Sequence, residues 1–144
     1  MVKEHVSKRF IEVIPLSMGL IKSYIRSESE VEISFPKYRI LGEVIRGANT
    51  VSDLAEVMCV SRPAISKLVD SLVEEGELIR SPCKKDRRVT YLNATKKGKR
   101  LFQKVRGAAS KRFVEKLENI DEIELENLEE ALSVIERFVK NAQE

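Results

Sequence analysis

The residues best equipped for chemistry lie in "CVSRPAISKLVDSLVEEGELIRS", residues 59–81. Ile65, Leu68, Val69 and Leu72 recur at helical spacing and predict a buried face. Ser61, Arg62, Ser66 and Lys67 then gather on the opposite face, at the N-terminal end, beside Pro63 and Ala64. Arginine and lysine donate to guanine O6 and N7, and serine bonds several base and phosphate groups. Small Ala64 lets the backbone come close to whatever is bound. Further on, "KKDRR" sets Lys84, Lys85, Asp86, Arg87 and Arg88 in a row, four cations in five residues. Such a cluster suits phosphates, and one arginine in it suits the negative potential of a narrow A·T minor groove. The plain alternatives are a solvated helix face and a solvated turn. The elements that carry these residues decide between them.

Six helical segments and one hairpin are predicted. Val6, Phe10, Val13, Ile14, Met18, Ile21 and Ile25 form an apolar stripe from about Lys3 to Arg26, with Pro15 either kinking the helix or restarting it. "SESEVEIS", residues 27–34, reads as a polar connector. Ser34 caps a helix over about Phe35–Arg46, with Tyr38, Leu41, Val44 and Ile45 inward. Thr50 caps a short helix of about eight residues, with Val51, Leu54 and Ala55 buried and Asp53 placed for a capping box. "CVS" follows as a tight turn. The next helix starts at 61–63, where a Ser61 cap must bond the Ala64 amide because Pro63 has no N–H. Gly76 takes the left-handed position after its end. Residues 77–83 and 88–94 read as strands joined by a basic tip, with Pro82 restricted to an edge. Thr95 caps a long helix to about Leu117, and Asp121 caps a last one to about Ala142 with Leu125, Leu128, Leu132, Ile135 and Val139 as its stripe.

A short helix, a tight turn and a second helix make a helix-turn-helix, and a following hairpin makes it winged. In such a unit the N-terminal residues of the second helix reach base edges in a major groove. The fold class is therefore mostly α with a small β-hairpin wing: a winged helix-turn-helix over 50–94 flanked by helices over 1–33 and 95–144, in one domain of 144 residues. Thr50 and Ser52 stand where a helix N-terminus could meet a phosphate, although capping alone accounts for Thr50.

Composition narrows the class. The chain is 34% charged with six glycines and four prolines, a balance that favours helices over a β-rich fold. Charge is unevenly spread: residues 61–100 hold eleven Lys/Arg against five acids, whereas residues 115–144 hold three against ten. One face meeting a polyanion is the reading. There is no apolar run long enough for a membrane span, and the first ten residues lack the apolar core of a secretion signal, so a cytoplasmic protein is expected. His5 stands alone, and Cys59 and Cys83 make neither a disulfide framework nor a zinc cluster. Neither a phosphate-cradling glycine loop nor a nucleophile motif appears. No cofactor, no metal and no catalysis are expected.

Residues 51–101, with the helix-turn-helix spacing, "LVDSLVEEGEL", the wing "DRR" and "TKKG" opening the next helix, resemble the MarR family of winged-helix transcriptional regulators. "FIEVIPLSMGLI" is similar to the first helix of the family's namesake. The resemblance implies a homodimer held by the N- and C-terminal helices and bound to a pseudo-palindromic operator in double-stranded DNA. A repressor is expected, with an activator left open, and the resemblance implies more loosely a small aromatic effector or an oxidant. By position, Ser61, Arg62, Pro63, Ala64, Ser66 and Lys67 match the groove-facing helix. Asp86 and Arg88 match the D-x-R wing, with Arg88 in the minor groove and Asp86 orienting it. The family's redox-sensing members carry a cysteine near the N-terminus, which this chain lacks, so Cys59 and Cys83 are expected to be packing residues. The alternatives are a winged-helix module that binds protein and a nonspecific DNA binder.

Overall fold

A computed structural model describes residues 1–26 and 33–144, so most of the expected polar connector lies outside the described residues. The order is α1 (Val2–Arg26), α2 (Phe35–Arg46), α3 (Val51–Met58), α4 (Arg62–Glu74), β1 (Leu78–Pro82), β2 (Thr90–Ala94), α5 (Lys96–Leu117) and α6 (Glu122–Ala142). Five helices begin on a side-chain oxygen that accepts from an amide of the first turn, which supplies a donor-starved helix end with a partner. Ser34 accepts from the Lys37 N–H, Thr50 from Asp53, Ser61 from Ala64, Thr95 from Gly98 and Asp121 from Glu124. The Ser61 bond is the one that Pro63 dictates. Pro15 neither stops nor restarts α1, which is assigned helical through it.

Residues 1–109 and 110–144 form two units, and the boundary falls within α5. The first holds the core. Ile40 and Leu41 of α2, Leu54 of α3, and Ile65, Val69 and Leu72 of α4 are fully covered, joined by Leu78 of β1 and Leu92 of β2. The α2 face differs from the expectation. Ile40 is buried, Tyr38 is half-buried and Ile45 is 39% exposed. The buried arc centres on Ile40, Leu41 and Val44, which puts Ile45 at its rim. On the other flank Tyr38 stacks on Phe102 of α5, 4.9 Å between centroids. Gly42 lies under the same ring: a Cβ there would meet Phe102 Cε2 at 2.8 Å. In α3, Met58 joins Leu54 in the core, and Val51 and Ala55 are half-buried.

The hairpin pairs Leu78 with Ala94, Arg80 with Leu92 and Pro82 with Thr90, antiparallel. Alternation puts Leu78 and Leu92 inward and leaves Ile79 and Tyr91 exposed. β2 is also held on its far side, where the Leu92 N–H donates to the Asn49 carbonyl at 2.7 Å. At the hairpin's base Thr95 receives the Gly98 N–H and donates its hydroxyl to the Gly76 carbonyl. Gly98 is there for space: an added Cβ would lie 2.1 Å from the Glu77 carbonyl oxygen.

Within the second unit no residue of α6 is buried; Leu125, Leu128, Leu132 and Val139 of the expected stripe are exposed and Ile135 is half-buried. In α1 only Tyr24 and Ile25 are buried, Phe10, Ile14, Met18 and Ile21 are half-buried, and Val6 and Val13 are exposed.

Candidate nucleic-acid interface

Two turns decide how α4 is presented. Cys59 closes α3 in the left-handed region at φ 53°, its N–H bonded to the Glu56 carbonyl, and Val60 donates to Ala55. The chain then reverses into Ser61, whose extended backbone (φ −64°, ψ 148°) opens α4. Ile65, Val69 and Leu72 fix the helix on the core, so its first turn projects outward. Ser61, Arg62, Pro63 and Lys67 are exposed, whereas Ala64 and Ser66 are half-buried. Neither Arg62 nor Lys67 forms an ion pair among the described residues. The Ser61 oxygen is taken by the cap, but its O–H remains a donor.

The wing tip is built around Asp86. Its Oδ1 accepts from the Arg88 N–H at 3.0 Å and from Arg88 Nε at 3.2 Å, and Oδ2 faces Nη2 at 3.4 Å. The Arg88 amide, then its guanidinium, holds the Asp86 carboxyl below the usual carboxylate range. The Val89 N–H returns to the Asp86 carbonyl, and Cys83 donates to the Val89 carbonyl, extending the ladder one step past Pro82. The carboxylate therefore fixes both the tip's turn and the direction of the guanidinium. Arg88's side chain nonetheless stays 90% exposed. Lys84, Lys85 and Arg87 are exposed as well.

At the base, Arg80 of β1 forms an ion pair with Asp70 of α4, tying the strand to the helix. Lys37 of α2 reaches Glu75 at 2.8 Å, past the end of α4. Sequence reasoning missed both pairs. Their residues are separated by ten and thirty-eight positions, and only the opposite signs of Asp70 and Arg80 on adjoining elements could have suggested one of them.

Thr50 is half-buried with its oxygen occupied by the Asp53 amide, and Ser52 is exposed. Cys59 is exposed. The Cys83 thiol is drawn below its ordinary range, chiefly by the Asp86 amide, then by the Tyr91 hydroxyl and the Lys85 amide. Backbone and tyrosine donors act there. Among the described residues no group of His, Cys, Asp or Glu could hold a metal ion, and no helix is long and apolar enough to cross a membrane.

Residues 32–89, which hold α2 to the wing tip, match the model of the MarR family. The chain is 28% identical over 115 residues to the uncharacterized HTH-type transcriptional regulator YfiV of Bacillus subtilis, covering 79% of this chain and 72% of that protein. It is 28% identical over 120 residues to the uncharacterized HTH-type transcriptional regulator YpoP of the same organism, covering 81% and 84%. Among solved structures, a MarR family protein from Bacillus stearothermophilus superposes with a TM-score of 0.78 at 18% identity, over 97% of this chain and 99% of that one. MarR from E. coli, in its apo form, gives 0.75 at 21%, over 89% and 95%. The fold of these structures extends beyond the matched segment to α1 and α6. Through the segment that carries α4 and the wing, the chain is similar to the MarR family of transcriptional regulators, and its fold is the one these solved structures share.

Proposed function

We propose that this chain is a sequence-specific transcriptional repressor that occupies a pseudo-palindromic operator as a homodimer. The observation that carries the reading is the pairing, in one unit, of an exposed N-terminal end of α4 bearing Arg62 and Lys67 with a wing whose Arg88 is exposed yet aimed by Asp86. Arg62 and Lys67, with Ser61 and Ser66, read base edges in the major groove; Pro63 and Ala64 keep the approach close. Arg88 enters the minor groove, and Lys84, Lys85 and Arg87 hold phosphates, with Ser52 and the capped end of α3 as a further backbone contact. Two copies related by a two-fold axis would place their α4 helices about one DNA turn, roughly 34–36 Å, apart.

Dimerisation is supported by apolar side chains that each end leaves in water: Val6 and Leu16 on α1, Leu128, Leu132 and Phe138 on α6. Release by a small aromatic effector is supported by the ring stack of Phe35, Tyr38 and Phe102, flanked by Lys22 over Phe35 and Arg106 over Phe102. Cations over such a stack suit an aromatic carboxylate.

Selection of bound duplexes from a random pool tests the reading. A two-fold symmetric consensus is expected, with affinity for it falling steeply as salt rises because each phosphate contact releases counterions. Equal binding to a scrambled duplex would make the protein a nonspecific binder, and no binding at low salt would leave the winged unit a protein-interaction module.

A further inference from the structure

Where α2, the end of α4, β1 and the start of α5 meet, Glu77 is buried, with 7% of its surface exposed. It follows Gly76 and leads directly into β1. Its Oε2 is fully covered and receives no hydrogen bond. A buried carboxylate oxygen without a donor is strongly disfavoured, and the usual outcome is that the group takes up a proton. Three charged groups face it. Glu75, past the end of α4, is a second carboxylate, whose Oε1 is already held by Lys37 Nζ at 2.8 Å and by the Ser71 hydroxyl at 3.2 Å. Lys37 comes from α2 and Lys97 from α5. Lys97 is drawn off toward the Glu75 carbonyl, 2.6 Å away, and Lys37 toward Glu75. From the β2 end the neighbour is uncharged: the Thr95 N–H and hydroxyl both bond the Glu77 carbonyl.

Two neighbouring carboxylates repel unless one carries a proton. We propose that Glu77, whose covered Oε2 has no donor, holds that proton in the folded protein, and that its loss loosens the base of the wing. Burial, then the Glu75 charge, pushes the Glu77 carboxyl above the usual carboxylate range. Glu75 shifts the other way, because Lys37 and the hydrogen bonds favour its charged form. The assignment of which group is protonated follows from the asymmetry of donors: Glu75 has a lysine and a hydroxyl, Glu77 has none. When the proton leaves, two negative charges stand against each other at the point where the chain turns from α4 into β1. The Thr95 and Gly98 contacts that lock this corner to α5 have little slack, because Gly98 packs directly on the Glu77 carbonyl.

The sign of the linkage follows. For an acid whose folded value is raised, the stabilising contribution is complete below the unfolded value and is lost as pH rises through the folded one. The wing base should therefore be tightest in mild acid and should loosen toward neutrality and above.

The experiment is a carbon-detected titration of the Glu77 side-chain carboxyl in the intact wild-type chain, with the Leu78, Arg80 and Leu92 amides followed in the same samples. The expected result is a Glu77 midpoint above that of the exposed glutamates of α6, with the three amides shifting at the same midpoint. Glu77→Gln keeps the side chain's shape without the charge. In that variant the amides should cease to titrate there, and resistance to urea should change less between pH 5 and pH 8 than in the wild type. A Glu77 midpoint equal to that of the α6 glutamates overturns the proton, and a raised midpoint with stationary wing amides overturns the coupling. Both readings come from the wild type, so neither depends on the variant folding.

Discussion

Arg88 is held by one carboxylate through three contacts, yet its guanidinium is in water. An exposed ion pair of this kind adds little stability; its effect is on direction. Asp86→Asn should therefore leave the unfolding transition nearly unchanged while weakening operator binding, because the tip turn and the arginine lose their common anchor. Arg88→Ala should weaken binding mainly at A·T positions beneath the wing. Arg62→Ala and Lys67→Ala should each cost about 1–3 kcal/mol on the preferred duplex and blur the preference at one position. Binding isotherms on duplexes with single base changes separate these behaviours; three alanine variants that bind every duplex as the wild type does would overturn the docking proposed for α4 and the wing. At this scale the sequence was most legible where chemistry is local. The D-x-R arrangement brings its partners together within one turn, and the Ser61 cap is dictated by Pro63. Glu77 was not legible as a buried acid: a glutamate opening a strand after "EEG" reads as solvated until α2 and α5 are packed over it.

Among the elements, two backbone positions are set by opposite demands. Cys59 adopts φ 53° with a side chain that the left-handed region disfavours. Cys59→Gly should thus be stabilising, by up to about 1 kcal/mol relative to the cysteine, offset in part by the freer unfolded chain. Gly98 shows the reverse: Gly98→Ala drives a Cβ into the Glu77 carbonyl and should be destabilising by about 1–3 kcal/mol, of the order of an overpacked core. Urea midpoints of the two variants should move to opposite sides of the wild type; a neutral Gly98→Ala would mean that α5 can slide away from β1. The helices were legible to within a residue or two, and from α2 onward this is because capping residues mark where each one starts. Faces were less so. Ile45 fits an apolar stripe as well as Ile40 does, and only the placement of Phe102 against Gly42 shows where the covered arc lies.

For the whole molecule, the exposed apolar residues on α1 and α6 are what support the proposed dimer. The intact protein should sediment as a dimer at micromolar concentration. Removal of residues 120–144 should give aggregates or unfolded monomers, whereas a soluble truncated monomer that keeps its operator preference, or an intact chain that runs as a monomer, would sink the palindromic site. Part of the core of residues 1–109, Leu41, Val44, Leu54, Ile65, Val69 and Leu72, was foreseeable from periodicity within each element, whereas Ile40 and Phe102 were not. What covers α1 and α6 was not, since a stripe records only that a side chain avoids water and not what it meets.

The bond from the Leu92 amide to the Asn49 carbonyl makes the wing's return strand a neighbour of the α2–α3 link as well as of β1. Leu92 is almost fully covered, so deuterium reaches that amide only when the strand departs from the link. Its exchange rate is thus a clock for spontaneous wing opening, readable without DNA. The amides of Lys84 and Lys85 at the tip should be replaced early. If Leu92 were replaced as fast as they are, the wing would be a free flap between binding events; a slow Leu92 makes it a fixture that arrives at the groove already set.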